Sequence, residues 1–230
     1  QACMESRTAR ILNEVVNMNE QGRLFYLMGA SGSGKDSILS GCRERLSTQG
    51  DYRDMRCFIA HRYITRRPEL RGENHVWLSD EEFARRVESQ AFSMHWQANS
   101  CSYGVGIEVD SWLANGINVI LNGSRGHLPH AIKQYSNVIV PVQIYVDPAD
   151  LRARLINRGR ESAEEIEKRI ERAKKLNSGL GSQIQTIDNS GSLASAVDGF
   201  FDIMAREGSG TPYNKVEIQK LESHKMERCG

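Results

Sequence analysis

A chain of 230 residues, 39% hydrophobic and 26% charged, can bury one full α/β core and leaves too little for two large domains. Thirty Lys and Arg against twenty-nine Asp and Glu give a net charge of +1, which supplies no global field for nucleic acid or an anionic membrane; any anion site must be local. The five cysteines (Cys3, Cys42, Cys57, Cys101, Cys229) are odd in number, scattered and without a C-x-x-C pair, which argues against a zinc or disulfide framework, and no apolar run is long enough for a membrane span, so a cytoplasmic protein with reduced thiols is expected.

Residues 1–22 read as a helical extension, with Ile11, Leu12, Val15 and Val16 on one face ahead of the polar stretch Asn19 to Gly22. Leu24 to Met28 is a short continuous apolar run, the pattern of a strand buried on both faces, and it leads directly into glycine-rich Gly29 to Gly34. Ile38, Leu39, Cys42 and Leu46 then recur at helical spacing. Further buried strands are expected at Cys57 to Ile64, Asn118 to Leu121, Val138 to Val146 and Ile184 to Ile187, each separated by helical or loop sequence. Such alternation predicts a parallel sheet flanked by helices.

Two helix starts are signalled chemically. Asp147 before Pro148 offers an N-cap with proline at the first helical position, and Ser162-Ala-Glu-Glu165 is a capping box; Asn157-Arg-Gly-Arg160 breaks the chain between them. The last core helix is expected from Ser192 to Ala205, with Leu193, Ala196, Val197, Phe200 and Met204 inward. Gly208 to Pro212 then links to a polar tail, 208–230, outside the core. Trp77, Trp96 and Trp112 are assigned to core packing rather than to a base-stacking wall.

Gly29-Ala30-Ser31-Gly32-Ser33-Gly34-Lys35 satisfies G-x-x-x-x-G-K between an expected strand and an expected helix, the setting that gives the pattern meaning. Consecutive backbone N–H groups must converge on phosphate oxygens, so glycines are needed for unusual dihedrals and the helix must point its positive end inward. Lys35 adds a cation for the β and γ phosphates, so ATP binding is the expectation. After Lys35 this pattern ordinarily has Ser or Thr as a Mg²⁺ ligand; here Asp36 stands, followed by Ser37. A carboxylate beside a polyphosphate is repelled unless a cation lies between them, which makes Asp36 a candidate Mg²⁺ ligand, with Ser37 as the alternative and a dipole-favoured surface acid as the bland reading.

From His61 to His75 four arginines (Arg62, Arg66, Arg67, Arg71) outweigh two glutamates (Glu69, Glu73), a local cationic segment suited to a second phosphorylated compound. Arg152, Arg154, Arg158, Arg160, Arg169 and Arg172 form a second cluster. Most of these are assigned to helix solubility, whereas Arg158 and Arg160 lie in the break from which a closing lid delivers charge to a transferring phosphoryl group. His61, His75 and His127 are left without a role.

The glycine-rich loop, Thr65-Arg66, Arg71-Gly72-Glu73, Tyr103-Gly104 and Arg154-Leu-Ile-Asn-Arg-Gly-Arg160 together resemble the guanylate kinase superfamily. More closely, Lys35-Asp-Ser37, His61-Arg-Tyr-Ile-Thr65, Glu73-Asn-His75, Tyr103-Gly-Val-Gly106 and Leu121-Asn-Gly-Ser-Arg125 resemble its ribose-bisphosphate kinase branch, which belongs to bacterial phosphonate breakdown. The resemblance spans roughly 23–205. It implies a P-loop NTPase fold over 23–207 with an acceptor-binding region near 61–107 and a helical lid near 148–175. It also implies ATP with Mg²⁺ as donor, ribose 1,5-bisphosphate as acceptor, and phosphoribosyl diphosphate and ADP as products. Carried over residue by residue, Arg62, Arg66, Arg71, Glu73, Tyr103, Asn122 and Arg125 are expected to bind the acceptor, and Lys35, Asp36, Arg158 and Arg160 to act on the transferring group. Guanylate kinases have acidic residues after the strand equivalent to 118–121, serving magnesium and guanine; Asn122 and Ser124 stand here, which weakens guanine recognition. Phosphorylation of GMP and a non-catalytic interaction module are the alternatives, and oligomeric state is left open.

Overall fold

The computed structural model describes residues 21–48, 55–67, 74–159, 162–177 and 184–207. The helical extension and the polar tail expected at the two ends therefore lie outside the described residues, apart from Gln21 and Gly22.

Strand β1 (Leu24–Gly29) sits at the centre of a five-stranded parallel sheet whose other members are β2 (Cys57–Ile59), β7 (Asn118–Asn122), β8 (Ile139–Tyr145) and β9 (Gln185–Asp188), in the order β2-β7-β1-β8-β9. Alternate side chains of β1 feed two cores. Leu24, Tyr26 and Met28 join Leu121, Leu128, Ile132 and Ile139 on one face; Phe25 and Leu27 join Ile38, Leu39, Ile120, Val142 and Phe200 on the other. A strand buried on both faces needs apolar residues at every position, which is why Leu24–Met28 is an unbroken apolar run.

Helix α1 (Lys35–Thr48) and the last helix, α7 (Leu193–Glu207), cover the second face, with Ile38, Leu39, Cys42, Phe200 and Met204 inward. Leu193 departs from expectation. It is 43% exposed, because Ser192 caps the helix by accepting from the Ser195 amide and leaves the first turn over solvent. The first face is covered by α3 (Glu108–Ala114) and α4 (Leu128–Tyr135).

The expected single strand at 57–64 is two strands in two sheets. Ala60 still donates to the Ile120 carbonyl at 2.9 Å, and the chain then crosses into a four-stranded sheet ordered β4-β3-β6-β5. Its members are β3 (Arg62–Ile64), β4 (Val76–Trp77), β5 (Phe92–Ala98) and β6 (Cys101–Gly106), with α2 (Asp80–Glu88) packed through Phe83 against Phe92. Continuous β-propensity marks extended backbone and not the partner it pairs with. A two-residue turn, Asn99-Ser100, both at positive φ (49° and 59°), joins β5 to β6 with the twist a tight hairpin needs.

Helices α5 (Pro148–Arg158) and α6 (Ala163–Asn177) form a hairpin around Val146, Leu151, Leu155, Ile166, Ile170 and Ala173. Both expected caps are present: Asp147 accepts from the Ala149 amide at 2.8 Å, and Ser162 and Glu165 exchange hydrogen bonds reciprocally at 2.8 and 3.3 Å. Gly159 closes α5 in the left-handed conformation.

Candidate active site

The loop from Gly29 to Lys35 joins β1 to α1 at the carboxyl edge of the parallel sheet, where neighbouring connections diverge to β7 and β8. Gly32 and Gly34 have φ of +89° and +87°, which an L side chain rarely adopts, so both glycines are required by the backbone itself. Lys35 Nζ donates to the Gly29 and Ala30 carbonyls, each at 3.0 Å, holding the ammonium over the loop. Ser33 is 1% exposed and its Oγ has no partner among the described residues.

Remote residues brace this loop. Asn189, just after β9, donates from Nδ2 to the Ser33 carbonyl at 2.8 Å, and its own carbonyl accepts from Arg154 Nη2 at 2.6 Å. Gly32 packs against Leu151 and Leu155 of α5, and Arg169 Nη1 of α6 reaches the Ser31 hydroxyl at 2.8 Å. The α5–α6 hairpin thus lies against the loop. Arg154 and Arg169 fasten it there, which corrects their assignment to helix solubility, while Arg152 pairs with Glu167 across the hairpin. Arg158 is exposed at the end of α5.

Asn122 closes β7 and donates from Nδ2 to Asp36 Oδ1 at 3.1 Å, bringing together two residues 86 positions apart. Asn122 is 4% exposed and its Oδ1 is buried without a partner among the described residues. An orphaned amide oxygen and a carboxylate side by side offer oxygen donors only, which fits a hard divalent cation such as Mg²⁺; Ser37 is the next residue in the chain.

The segment after β7 is pinned by Tyr26. Its hydroxyl donates to the Ser124 carbonyl at 2.9 Å and accepts from the Ser124 amide at 2.8 Å; burial holds the phenol well above its ordinary pKa and so neutral. A Cβ on Gly123 would fall on the Tyr26 ring. Arg125 follows, half-buried, and donates from Nη2 to Gln143 Oε1 of β8. Its Nε and Nη1 are enclosed and without partners among the described residues, and burial pushes its pKa down to about 10, leaving it charged at neutral pH.

On the four-stranded sheet Arg62 is 8% exposed with its guanidinium over the Tyr103 ring, 5.1 Å from the centroid. Tyr103 stacks on Trp96, Trp96 on His127 and His127 on His130, with centroids 5.6, 5.0 and 5.4 Å apart. This ladder ties the four-stranded sheet to the segment carrying Arg125. His75 Nε2 contacts the Arg66 carbonyl at 2.8 Å. Trp77 corrects the core assignment: it is 40% exposed on the edge strand β4, with the Arg67 guanidinium over it at 4.7 Å, while Trp112 packs partly buried against Phe58.

The structure therefore brings Gly29 to Ser37, Asn122 and Arg125 to one sheet edge and places Arg62 and Tyr103 in the adjoining sheet; Arg71, Glu73 and Arg160 lie outside the described residues. The sequence alone assigns no role to Asn189 or Gln143, and only helix solubility to Arg154 and Arg169. Gln143 alone carried a signal, a polar residue inside the apolar run 138–146.

A glycine-rich phosphate loop at the centre of a parallel sheet, with a helical hairpin against it and a small second sheet beside it, defines a P-loop kinase. A family model for guanylate kinase matches residues 21–190, and this chain belongs to that family. A solved guanylate kinase from Anaplasma phagocytophilum shares the fold, with a TM-score of 0.64 at 15% identity over 84% of this chain and 89% of that one. Within the family the chain groups with proteins named ribose 1,5-bisphosphate phosphokinase PhnN. It is 46% identical to the one from Psychromonas ingrahamii (76% of this chain, 86% of the relative) and 44% identical to that of Klebsiella pneumoniae (80% and 92%). The Azotobacter vinelandii protein is 43% identical (80% and 97%).

Proposed function

We propose that this enzyme transfers the γ-phosphoryl group of ATP to ribose 1,5-bisphosphate, releasing 5-phosphoribosyl 1-diphosphate and ADP. The observation that carries this reading is the likeness to relatives of that name over 86–97% of their length, at 43–46% identity.

The chemistry asks little covalent work of the protein. An oxygen of the acceptor's 1-phosphate is already anionic near neutral pH, so it attacks the γ-phosphorus without a general base while the bond to the β-bridging oxygen breaks and ADP carries away the negative charge. What remains is to align two polyanions and offset their repulsion. The amides of Gly29 to Lys35 cradle the donor phosphates and Lys35 turns from the Gly29 and Ala30 carbonyls to them. Asp36 and Ser37, with Asn122 beside Asp36, would hold Mg²⁺, which would supply positive charge to offset the repulsion of the two polyanions. Arg62, Arg66, Arg71 and Arg125 receive the acceptor phosphates, with Glu73 and Tyr103 at its ribose, and Arg158 and Arg160 act from the α5–α6 lid on the transferring group.

The test offers Mg·ATP with ribose 1,5-bisphosphate or with GMP and identifies the product by mass and phosphorus resonance. ADP and phosphoribosyl diphosphate are expected from the sugar and little turnover from GMP. Rapid ADP and GDP formation with GMP alone would replace the reading with a nucleoside monophosphate kinase.

A further inference from the structure

Inner strand β8 is apolar at Ile139, Val140, Val142 and Ile144, yet Gln143 stands among them with 1% of its surface exposed. Burying an amide there is unfavourable unless its groups are used. Its Nε2 donates to the Ile144 carbonyl at 3.3 Å and its Oε1 accepts from Arg125 Nη2. Gln143 pairs in register with Met28, one residue before Gly29, so it lies beside the root of the phosphate loop. In a parallel sheet paired residues share a face. Met28 belongs to the core face bearing Tyr103 and Trp96, so Gln143 presents its amide on the acceptor side and not on the α1 side.

Arg125 reaches Gln143 because the segment after β7 is led over the end of β1, where the two Tyr26–Ser124 hydrogen bonds and the close approach at Gly123 fix its path. The result is a charged guanidinium oriented at Nη2 by a neutral amide, with Nε and Nη1 lacking any acceptor among the described residues. A carboxylate at position 143 would cancel the charge; glutamine orients it and leaves it available. An enclosed cation with two unused donors is unfavourable by itself and is relieved by an anion. Arg125 as a whole is only partly covered, and presenting Nε and Nη1 to a bound anion requires the side chain to shift outward.

We infer that Gln143 is a positioning residue, which orients Arg125 as a two-donor fork for a phosphate of the acceptor and so helps set acceptor affinity. This rests on the reading of Arg125 as an acceptor ligand given above.

The test compares wild type, Gln143→Met and Gln143→Glu in steady-state kinetics, with calorimetric binding of ribose 1,5-bisphosphate. Gln143→Met removes the orienting acceptor at similar volume and is expected to raise the acceptor KM about tenfold, with the ATP KM changed by less than about twofold. Gln143→Glu keeps a hydrogen-bond acceptor, so a purely structural pair would tolerate it. The fork predicts an acceptor KM at least as high as in Gln143→Met, because the carboxylate occupies and neutralises the guanidinium. A Gln143→Glu enzyme with wild-type acceptor KM overturns the inference, as does a rise confined to the ATP KM. If Gln143→Met does not fold, Gln143→Glu decides alone, and Arg125→Gln must then show the same acceptor-specific loss. Should wild type use GMP and not the sugar, the proposed substrate fails while the fork is read in the same way on the KM for GMP.

Discussion

Asn189 Nδ2 donates to the Ser33 carbonyl at 2.8 Å, and the same nitrogen occupies the place where a Cβ on Gly34 would fall. The end of β9 is thus the floor of a phosphate loop 156 residues earlier in the chain. Gly34→Ala combines an unfavourable φ of +87° with displacement of that amide, and Asn189→Ala leaves a buried carbonyl without its partner. Losing such a partner costs about 1–3 kcal/mol. Both variants are therefore expected to weaken ATP binding at least tenfold or so by calorimetry. ATP affinity at wild-type level in Asn189→Ala would show that the loop holds its shape without this floor.

Lys35 is the one cation within the loop itself, held by the Gly29 and Ala30 carbonyls at 3.0 Å. Removing one preorganised donor from a developing charge costs about 3 kcal/mol. Lys35→Ala should accordingly lower kcat/KM by about two orders of magnitude with either substrate varied. Turnover near that of wild type would remove Lys35 from the reaction.

The Asn122–Asp36 contact of 3.1 Å makes charge at this point readable without an activity assay. Asn122→Asp places a second carboxylate against the first, and like charges at that distance disfavour double ionisation. The variant should melt lower than wild type near pH 8 and regain stability on adding millimolar Mg²⁺ or on acidification towards pH 5, where one carboxylate takes up a proton. A melting temperature unmoved by Mg²⁺ would argue against an oxygen site here. In the enzyme, Asp36→Ala should raise the Mg²⁺ needed for half-maximal rate about tenfold.

Cys42 and Cys57 lie together in the core between α1 and β2, and desolvation pushes each thiol up to about 12. A thiol whose folded pKa lies above its unfolded value contributes stability that is complete below the unfolded value and is lost as pH rises towards the folded one. Unfolding free energy should therefore decline between about pH 9 and pH 12, each thiol contributing a slope near 1.4 kcal/mol per pH unit. Denaturant melts at successive pH values should show this slope reduced in Cys42→Ala. Neither thiol should react with an alkylating reagent in the folded protein at pH 7.5, whereas both should on unfolding.

Whatever depends on neighbours along the chain is legible in the residues alone. The phosphate loop is legible because its glycines, lysine, preceding apolar run and following helix are contiguous. The Asp147 and Ser162 caps are legible because each hydrogen bond closes within three residues. The parallel sheet follows from apolar runs spaced by helical sequence. Tertiary structure alone decided which strands share a sheet, dividing 57–64 between two of them, since extended backbone carries no address for its partner. It also decided which remote side chains complete the site: Asn189 under Ser33, Asn122 against Asp36, Arg169 on Ser31 and Gln143 behind Arg125. Each of these contacts depends on sheet order and register, which are set by the packing of two cores around β1 and leave no periodic mark in the residues that make the contact.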